Sequence, residues 1–157
     1  MKIVVNRCFG GFNLSVAAQL RILELEKIEA FPFVKEHLYE NDCYVFEKYD
    51  GDNFNSDSFR FDVSFFKTKP EFDSFSMSIE DYFRGDSSEE IFLNLDYDKS
   101  YKRNDKNLVR VVEELGEAAN SRHSDLKIVE IPDGHEYKIH EYDGFETVYH
   151  GIELGEI

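Results

Sequence analysis

Between Leu108 and Tyr149 the apolar spacing changes period once, from helix to strand, and this limits what the C-terminal third can form. Leu108, Val111, Val112, Leu115, Ala118 and Ala119 fall at i, i+3, i+4, i+7, i+10 and i+11, one face of an α-helix. Asn104 or Asp105 can cap its start, Glu113, Glu114 and Glu117 take the outward side, and Asn120 is a natural stop. From Leu126 the pattern shifts to a strand, Leu126-Lys-Ile-Val-Glu-Ile131, ended by Pro132-Asp-Gly134. Tyr137–Tyr142 and Phe145–Tyr149 then follow, separated only by Asp143-Gly144. Asp-Gly between two β-rich runs predicts a two-residue hairpin, with Ile139 opposite Val148 and Tyr142 opposite Phe145.

The N-terminus has a related logic. Ile3-Val4-Val5, ended by Asn6-Arg7 and then Gly10-Gly11, reads as a buried strand that enters a glycine loop. Ser15 is placed to cap a helix whose apolar positions extend from Val16 to Ile28, about four turns, with Pro32 as the limit beyond it.

Residues from about 35 to 103 differ in character. Polar turns such as Asp50-Gly-Asp-Asn53, Asn55-Ser-Asp57, Arg84-Gly-Asp-Ser-Ser88 and Asp96-Tyr-Asp98 alternate with aromatic runs. Tyr44-Val-Phe46, Phe59-Arg-Phe61 and Ile91-Phe-Leu93 suggest three or four strands there. The expected fold is therefore α+β: a mixed or antiparallel sheet, two main helices and a C-terminal β-hairpin. We expect one domain over residues 1–157 with a central aromatic-acidic insertion at about 35–103.

Composition sets outer bounds. The chain has 157 residues with 18 basic and 33 acidic groups, a formal charge of −15, and 15 Phe and 9 Tyr but no Trp. That aromatic load excludes a disordered acidic tail. The charge argues against direct nonspecific binding to nucleic acid or anionic membrane. No apolar run reaches the roughly 18 residues of a membrane helix, and Arg7 cuts short the first apolar stretch, so no signal peptide is expected. Cys8 and Cys43 read as two free thiols of a cytoplasmic protein. Basic and acidic groups number 6 and 8 in residues 1–50, 5 and 12 in 51–100, and 7 and 13 in 101–157. The excess acid lies past residue 50.

Two stretches carry a resemblance. Met1-Lys-Ile-Val-Val-Asn-Arg-Cys-Phe-Gly-Gly-Phe-Asn-Leu-Ser15 resembles the opening of a widespread family of small, uncharacterised bacteriophage and prophage proteins. The run from Asn107 through Glu-Leu-Gly-Glu-Ala-Ala-Asn120 and Leu126–Gly134 to Glu141-Tyr-Asp-Gly144 is similar to that family's C-terminal half. Where family members commonly end in a basic, Trp-containing segment, this chain has Tyr149-His-Gly-Ile-Glu-Leu-Gly-Glu-Ile157. The resemblance implies a phage gene acting in a bacterial cytoplasm and implies no reaction.

The most suggestive local chemistry is the loop after the first strand, with Arg7, Cys8, Gly10, Gly11 and Phe12 as candidate ligand-binding residues. Backbone amides ahead of a helix N-terminus can face a phosphate, and Arg7 with that dipole would favour a Cys8 thiolate. A phosphate-loop Gly-Lys-Ser/Thr is absent, however, and Leu14 stands where a cysteine phosphatase wants Arg. The plainer reading is a tight glycine turn with Cys8 packed as a small hydrophobe. Asp50, Asp52 and Asn53 hint at a calcium loop, but Asn55 replaces the required Gly and Phe61 the bidentate Glu. The histidines are 37, 123, 135, 140 and 150; His135 and His150 share a hairpin face diagonally without a third ligand, so surface histidines are the expectation. Glu89-Glu90 and Glu113-Glu114 are ordinary solvated pairs. No metal, cofactor or catalytic set is assigned.

Two expectations of function follow, from different classes. Acid mixed with Phe and Tyr can form a partner-binding face, with Asp50, Asp52, Phe54, Asp57, Asp96 and Asp98 as its candidates, suited to a basic host protein. On that reading the chain is a non-enzymatic phage accessory protein that modulates or inhibits a host factor, as in counter-defence. The alternative is a binder of a small nucleotide-like ligand, such as a nucleotide signal, that uses the glycine loop, with Arg110 and Arg122 as further cations. An enzyme centred on Cys8 stands third. Oligomeric state is left open.

Overall fold

The computed structural model describes residues 1–56, 58, 60–84 and 91–151. In chain order the elements are β1 (Lys2–Asn6), α1 (Val16–Glu26), β2 (Phe31–Leu38), β3 (Cys43–Lys48), β4 (Phe61–Phe66), β5 (Ser74–Ser78) and a single turn α2 (Ile79–Tyr82). Then come α3 (Lys106–Leu115), β6 (Leu126–Glu130), β7 (Tyr137–Tyr142) and β8 (Phe145–His150). Among the described residues every ladder is antiparallel, so the fold is α+β with a C-terminal hairpin. None of the helices among the described residues is long and apolar enough to cross a membrane.

The chain divides into two compact units, one formed by Met1–Lys27 with the chain from Asp96 on, the other by Ile28–Leu95. The inserted unit starts and ends earlier than the composition shift at 35–103. Phe31 and Pro32 already pair with Phe66 and Phe65 in its sheet. Tyr97 and Arg103, by contrast, are bonded to Glu26 and Glu146 of the first unit.

In the first unit, β1 pairs with β6, Val4 opposite Ile128. Ile3, Val5 and Ile131 form a core over which Val129, Tyr137, Ile139 and Val148 pack. Ser15 caps α1 by accepting from the Ala18 amide at 3.1 Å, and Ala18, Ile22 and Leu23 face inward. The helix stops at Glu26, short of the four turns its apolar spacing suggests. Lys27 turns left-handed at φ 56° and returns its amide to the Leu23 and Glu24 carbonyls, a terminus that redirects the chain. Pro32 therefore sits inside a strand and limits no helix.

Asp105, one of the two expected caps, accepts from the Asn107 and Leu108 amides at 2.9 and 3.1 Å. Leu108, Val111 and Val112 are buried as the spacing predicts. The α-helix ends at Leu115, where Gly116 takes φ 56° and a 3-10 turn follows over Gly116–Ala119. Ala119 is buried and Ala118 exposed. Glu114 accepts from Arg21 at 3.1 Å and Arg110 at 2.8 Å, and the Arg21 hydrogen bond foremost holds its carboxyl below the usual range. The hairpin has the predicted register, Ile139 with Val148 and Tyr142 with Phe145. Asp143 and Gly144 both take positive φ, 49° and 88°, as a two-residue I′ turn requires.

The second unit is a four-stranded sheet in the order β4-β2-β3-β5. One face carries Phe33, Tyr44, Phe46 and Phe66, packed by Phe75, Tyr82 and Phe92. Phe46 stacks on Phe75 at 5.2 Å and Phe33 meets Phe66 edge-on at 5.2 Å, the offset and T-shaped arrangements that rings favour. Lys35 lies over Tyr44 and Tyr82 and donates to the Tyr82 hydroxyl at 2.9 Å. The aromatic wealth of the centre is thus largely a core. Tyr44-Val-Phe46 lies in β3, while Phe92 makes a single bridge to Phe66. Phe59, the turn at Gly85–Ser88, Glu89-Glu90 and residues 152–157 lie outside the described residues.

Candidate functional site

The loop after β1 is built around Asn6, which is fully buried. Its Nδ2 donates to the Cys8 carbonyl at 2.9 Å and the Gly144 carbonyl at 2.7 Å, and its Oδ1 accepts from the Asp125 amide at 2.8 Å. Cys8 Sγ donates to the His123 carbonyl at 3.0 Å. At Gly10 a Cβ would lie 1.8 Å from the His123 oxygen, so only glycine fits. At Gly144 a Cβ would lie 2.4 Å from the Gly11 nitrogen: loop and hairpin turn meet backbone to backbone. Phe12 packs under the Arg103 guanidinium, 3.5 Å from its ring centre. The Ser15 amide donates to the Ala119 carbonyl at 2.9 Å and its hydroxyl to the Ala118 carbonyl at 2.7 Å. The start of α1 therefore abuts the 3-10 turn.

Of the candidate loop residues, Cys8, Gly10, Gly11 and Phe12 thus serve to join β1, the 119–125 segment and the hairpin. Arg7 behaves differently. Its guanidinium lies 5.5 Å from the Phe145 ring centre, and Phe9, 67% exposed, lies 5.7 Å from the same ring. On the hairpin's outward face this cluster continues through the pairs Tyr142–Phe145, His140–Thr147 and Lys138–Tyr149. Tyr142 and Tyr149 are exposed. Arginine, lysine and aromatic rings here make a surface able to take a planar or anionic group.

The residues that sequence reasoning missed are Arg103 and Glu146. Their side chains are 5% and 3% exposed and bond at 2.6 and 3.0 Å. Arg103 also donates to the carbonyls of Tyr97 at 2.7 Å, Asp98 at 3.0 Å and Val4 at 3.2 Å. Glu146 accepts in addition from the Asn6 amide at 3.3 Å. This buried pair fixes the segment before α3, β1 and the hairpin at once. In sequence, only the break in alternation at Glu146, where an inward position carries a charge, could have signalled it.

The acidic candidates separate. Asp50 Oδ1 accepts from the amides of Asp52 and Asn53 at 2.8 and 2.9 Å, and Asn53 Oδ1 accepts from the Asp50 amide at 3.0 Å. Asp50 and Asp52 thus share one self-closed turn of the second unit, and half-buried Phe54 follows it. Asp96 and Asp98 belong to the first unit, Asp96 at φ 56° and Asp98 3.8 Å from Lys99. Asp57 lies outside the described residues. Among the described residues no three His, Cys, Asp or Glu side chains are arranged to hold a metal ion, and Cys8 and Cys43 are both free thiols.

An open groove of about 530 Å³ in the first unit is lined by Lys2, Lys106, Val109, Arg110, Glu113 and Asp133 among others. It contains none of the loop candidates. Lys2 is tied to Glu113 at 2.5 Å and Arg110 to Glu114 at 2.8 Å, so much of its positive charge is already answered.

Neither a protein-family model, nor a curated protein, nor a solved structure matches the chain. The charge follows the division into units. Residues 28–95 carry 6 basic against 16 acidic groups, a net −10, and the remainder 12 against 17, a net −5. The second unit also leaves Tyr39, Phe72 and Phe83 exposed.

Proposed function

We propose that the chain works by binding, as a non-enzymatic phage accessory protein whose Ile28–Leu95 unit engages and modulates a basic host protein, as in counter-defence. The observation that carries this reading is the concentration of charge: a net −10 on a unit whose core is already filled by its own rings. Surplus carboxylates beside exposed Tyr39, Phe72 and Phe83 supply long-range attraction and short-range anchors to one partner. The test is capture of host proteins on the immobilised chain, with an Asp50→Asn/Asp52→Asn variant alongside. Recovery of a basic protein that is lost in the variant and released between about 0.1 and 0.5 M salt is expected, because exposed charges are screened over that range. A retained protein indifferent to both would overturn the electrostatic reading.

Exposed Phe9, with Arg7 and Phe145 beside it, favours a second reading: a small nucleotide-like ligand stacked on that ring with its phosphate near Arg7. Stabilisation of the wild-type chain, but not of Phe9→Ala, by millimolar nucleotide in a thermal-shift assay would support it. Equal shifts in both proteins, or none in either, would dismiss it.

A further inference from the structure

His135 and His150 meet at the open end of the hairpin. His150 pairs with Tyr137 across β7–β8, and His135 stands two residues before Tyr137, so the two imidazoles are diagonal neighbours on one face. Their Nδ1 atoms are 3.1 Å apart, with ring centres 5.4 Å apart. Backbone bonds fix both carriers: the His135 amide donates to the Pro132 carbonyl at 3.4 Å, and the Gly151 amide to the Glu136 carbonyl at 3.3 Å. Tyr137 is anchored in turn, donating to the Ser100 carbonyl at 2.8 Å.

Two facing ring nitrogens at this distance require that one carries a proton and the other a lone pair. A metal ion can replace that shared proton. Donors about 2.05 Å from a tetrahedral ion lie about 3.3 Å apart, close to the separation already present. The ladder holds His150 and the turn before it holds His135, so the spacing exists in advance and little ordering is left for the ion to impose. Imidazole nitrogen selects borderline transition ions such as Zn²⁺, Cu²⁺ or Ni²⁺ over the oxygen-seeking Mg²⁺ and Ca²⁺.

We propose that His135 and His150 form a two-histidine site for a divalent transition ion at the hairpin's open end, with water or a partner's side chain in the remaining positions. The inference is independent of the protein-binding reading and needs none of its residues. The ion would staple the turn before β7 to the end of β8 and stiffen the hairpin whose other end packs on the glycine loop.

The test is calorimetric titration of the full-length chain with Zn²⁺ in a non-chelating buffer, with Mg²⁺ as control. His140→Ala, on the opposite face of the same hairpin, serves as the control variant. We expect saturable binding of one ion, weakened about tenfold or more in His135→Ala and in His150→Ala and unchanged in His140→Ala. Circular dichroism verifies that each variant is folded, and ¹H–¹⁵N spectra of the imidazoles should show both Nδ1 atoms taking the metal. Absence of saturable Zn²⁺ binding, or binding indifferent to both substitutions, would overturn the site.

Discussion

Arg103 and Glu146 tie three parts of the first unit together through one buried pair. Removing one member of a buried ion pair leaves the other as an uncompensated charge, at a cost of about 3–5 kcal/mol. Arg103→Met should therefore lower the unfolding free energy by at least that amount in urea titrations, and Arg103→Met/Glu146→Leu should recover only part of it, because the Tyr97, Asp98 and Val4 carbonyls still lack their donor. Tyr97 makes a second prediction. Burial first, then its 2.6 Å bond to Glu26, raises the phenol's ionisation well above the ordinary value. The unfolded chain thus loses this proton first. The stabilisation is complete below about pH 10 and declines as pH rises beyond it. Urea midpoints between about pH 8 and 11 should fall less steeply in Tyr97→Phe; Tyr137, raised likewise by burial, accounts for a remainder. Beyond the break in alternation at Glu146, none of this is legible in the sequence. Asn6 and Glu146 bond across 140 residues, and no periodicity records such a pairing. Cys8 and Arg7 draw notice because their types are reactive, yet their neighbours are set by the fold.

Elements are more legible where local chemistry and tertiary packing agree. Ser15 and Asp105 cap the helices because short side-chain acceptors suit those positions, and Asp143-Gly144 set a register that the hairpin meets pair by pair. Helix lengths are not legible, since Lys27 and Gly116 end them through backbone conformation while apolar residues continue beyond. The loop's glycines suggest a ligand cradle by their type, whereas at Gly10 the missing side chain admits the His123 backbone. Two glycines of positive φ separate these roles. Gly134, at φ 83°, has nothing within 4 Å of the place a methyl group would take, while Gly144, at φ 88°, has the Gly11 nitrogen at 2.4 Å. Gly134→Ala should cost only the left-handed strain, about 1–2 kcal/mol. Gly144→Ala should cost clearly more than about 2 kcal/mol, because the turn must also separate from the loop. Thermal denaturation of the two variants compares them directly.

For the whole molecule, charge is the dominant property, and its sign yields a further expectation. Like charges on a compact surface repel, and salt screens them over a Debye length of about 10 Å at 0.1 M. The melting temperature at neutral pH should therefore rise as salt increases from low ionic strength. The buried Arg103–Glu146 pair is screened little, while the exposed bridges that would offset this trend are individually weak. The gain should shrink at acidic pH as carboxylates take up protons. A melting temperature that fell with added salt would show that attractive pairs outweigh the repulsion.

The Tyr97–Glu26 bond has one more consequence. The residues beside Lys27 and Asp96, the first unit's last and first before and after the insertion, are held within the reach of two side chains. The polypeptide thus departs and returns at a single doorway, the geometry in which whole segments are gained or exchanged without redrawing the host fold. Joining Lys27 to Asp96 through a few flexible residues would leave β1, both long helices and the hairpin in their original order. Ile28–Leu95 reads as cargo carried on a scaffold that could be refitted with another.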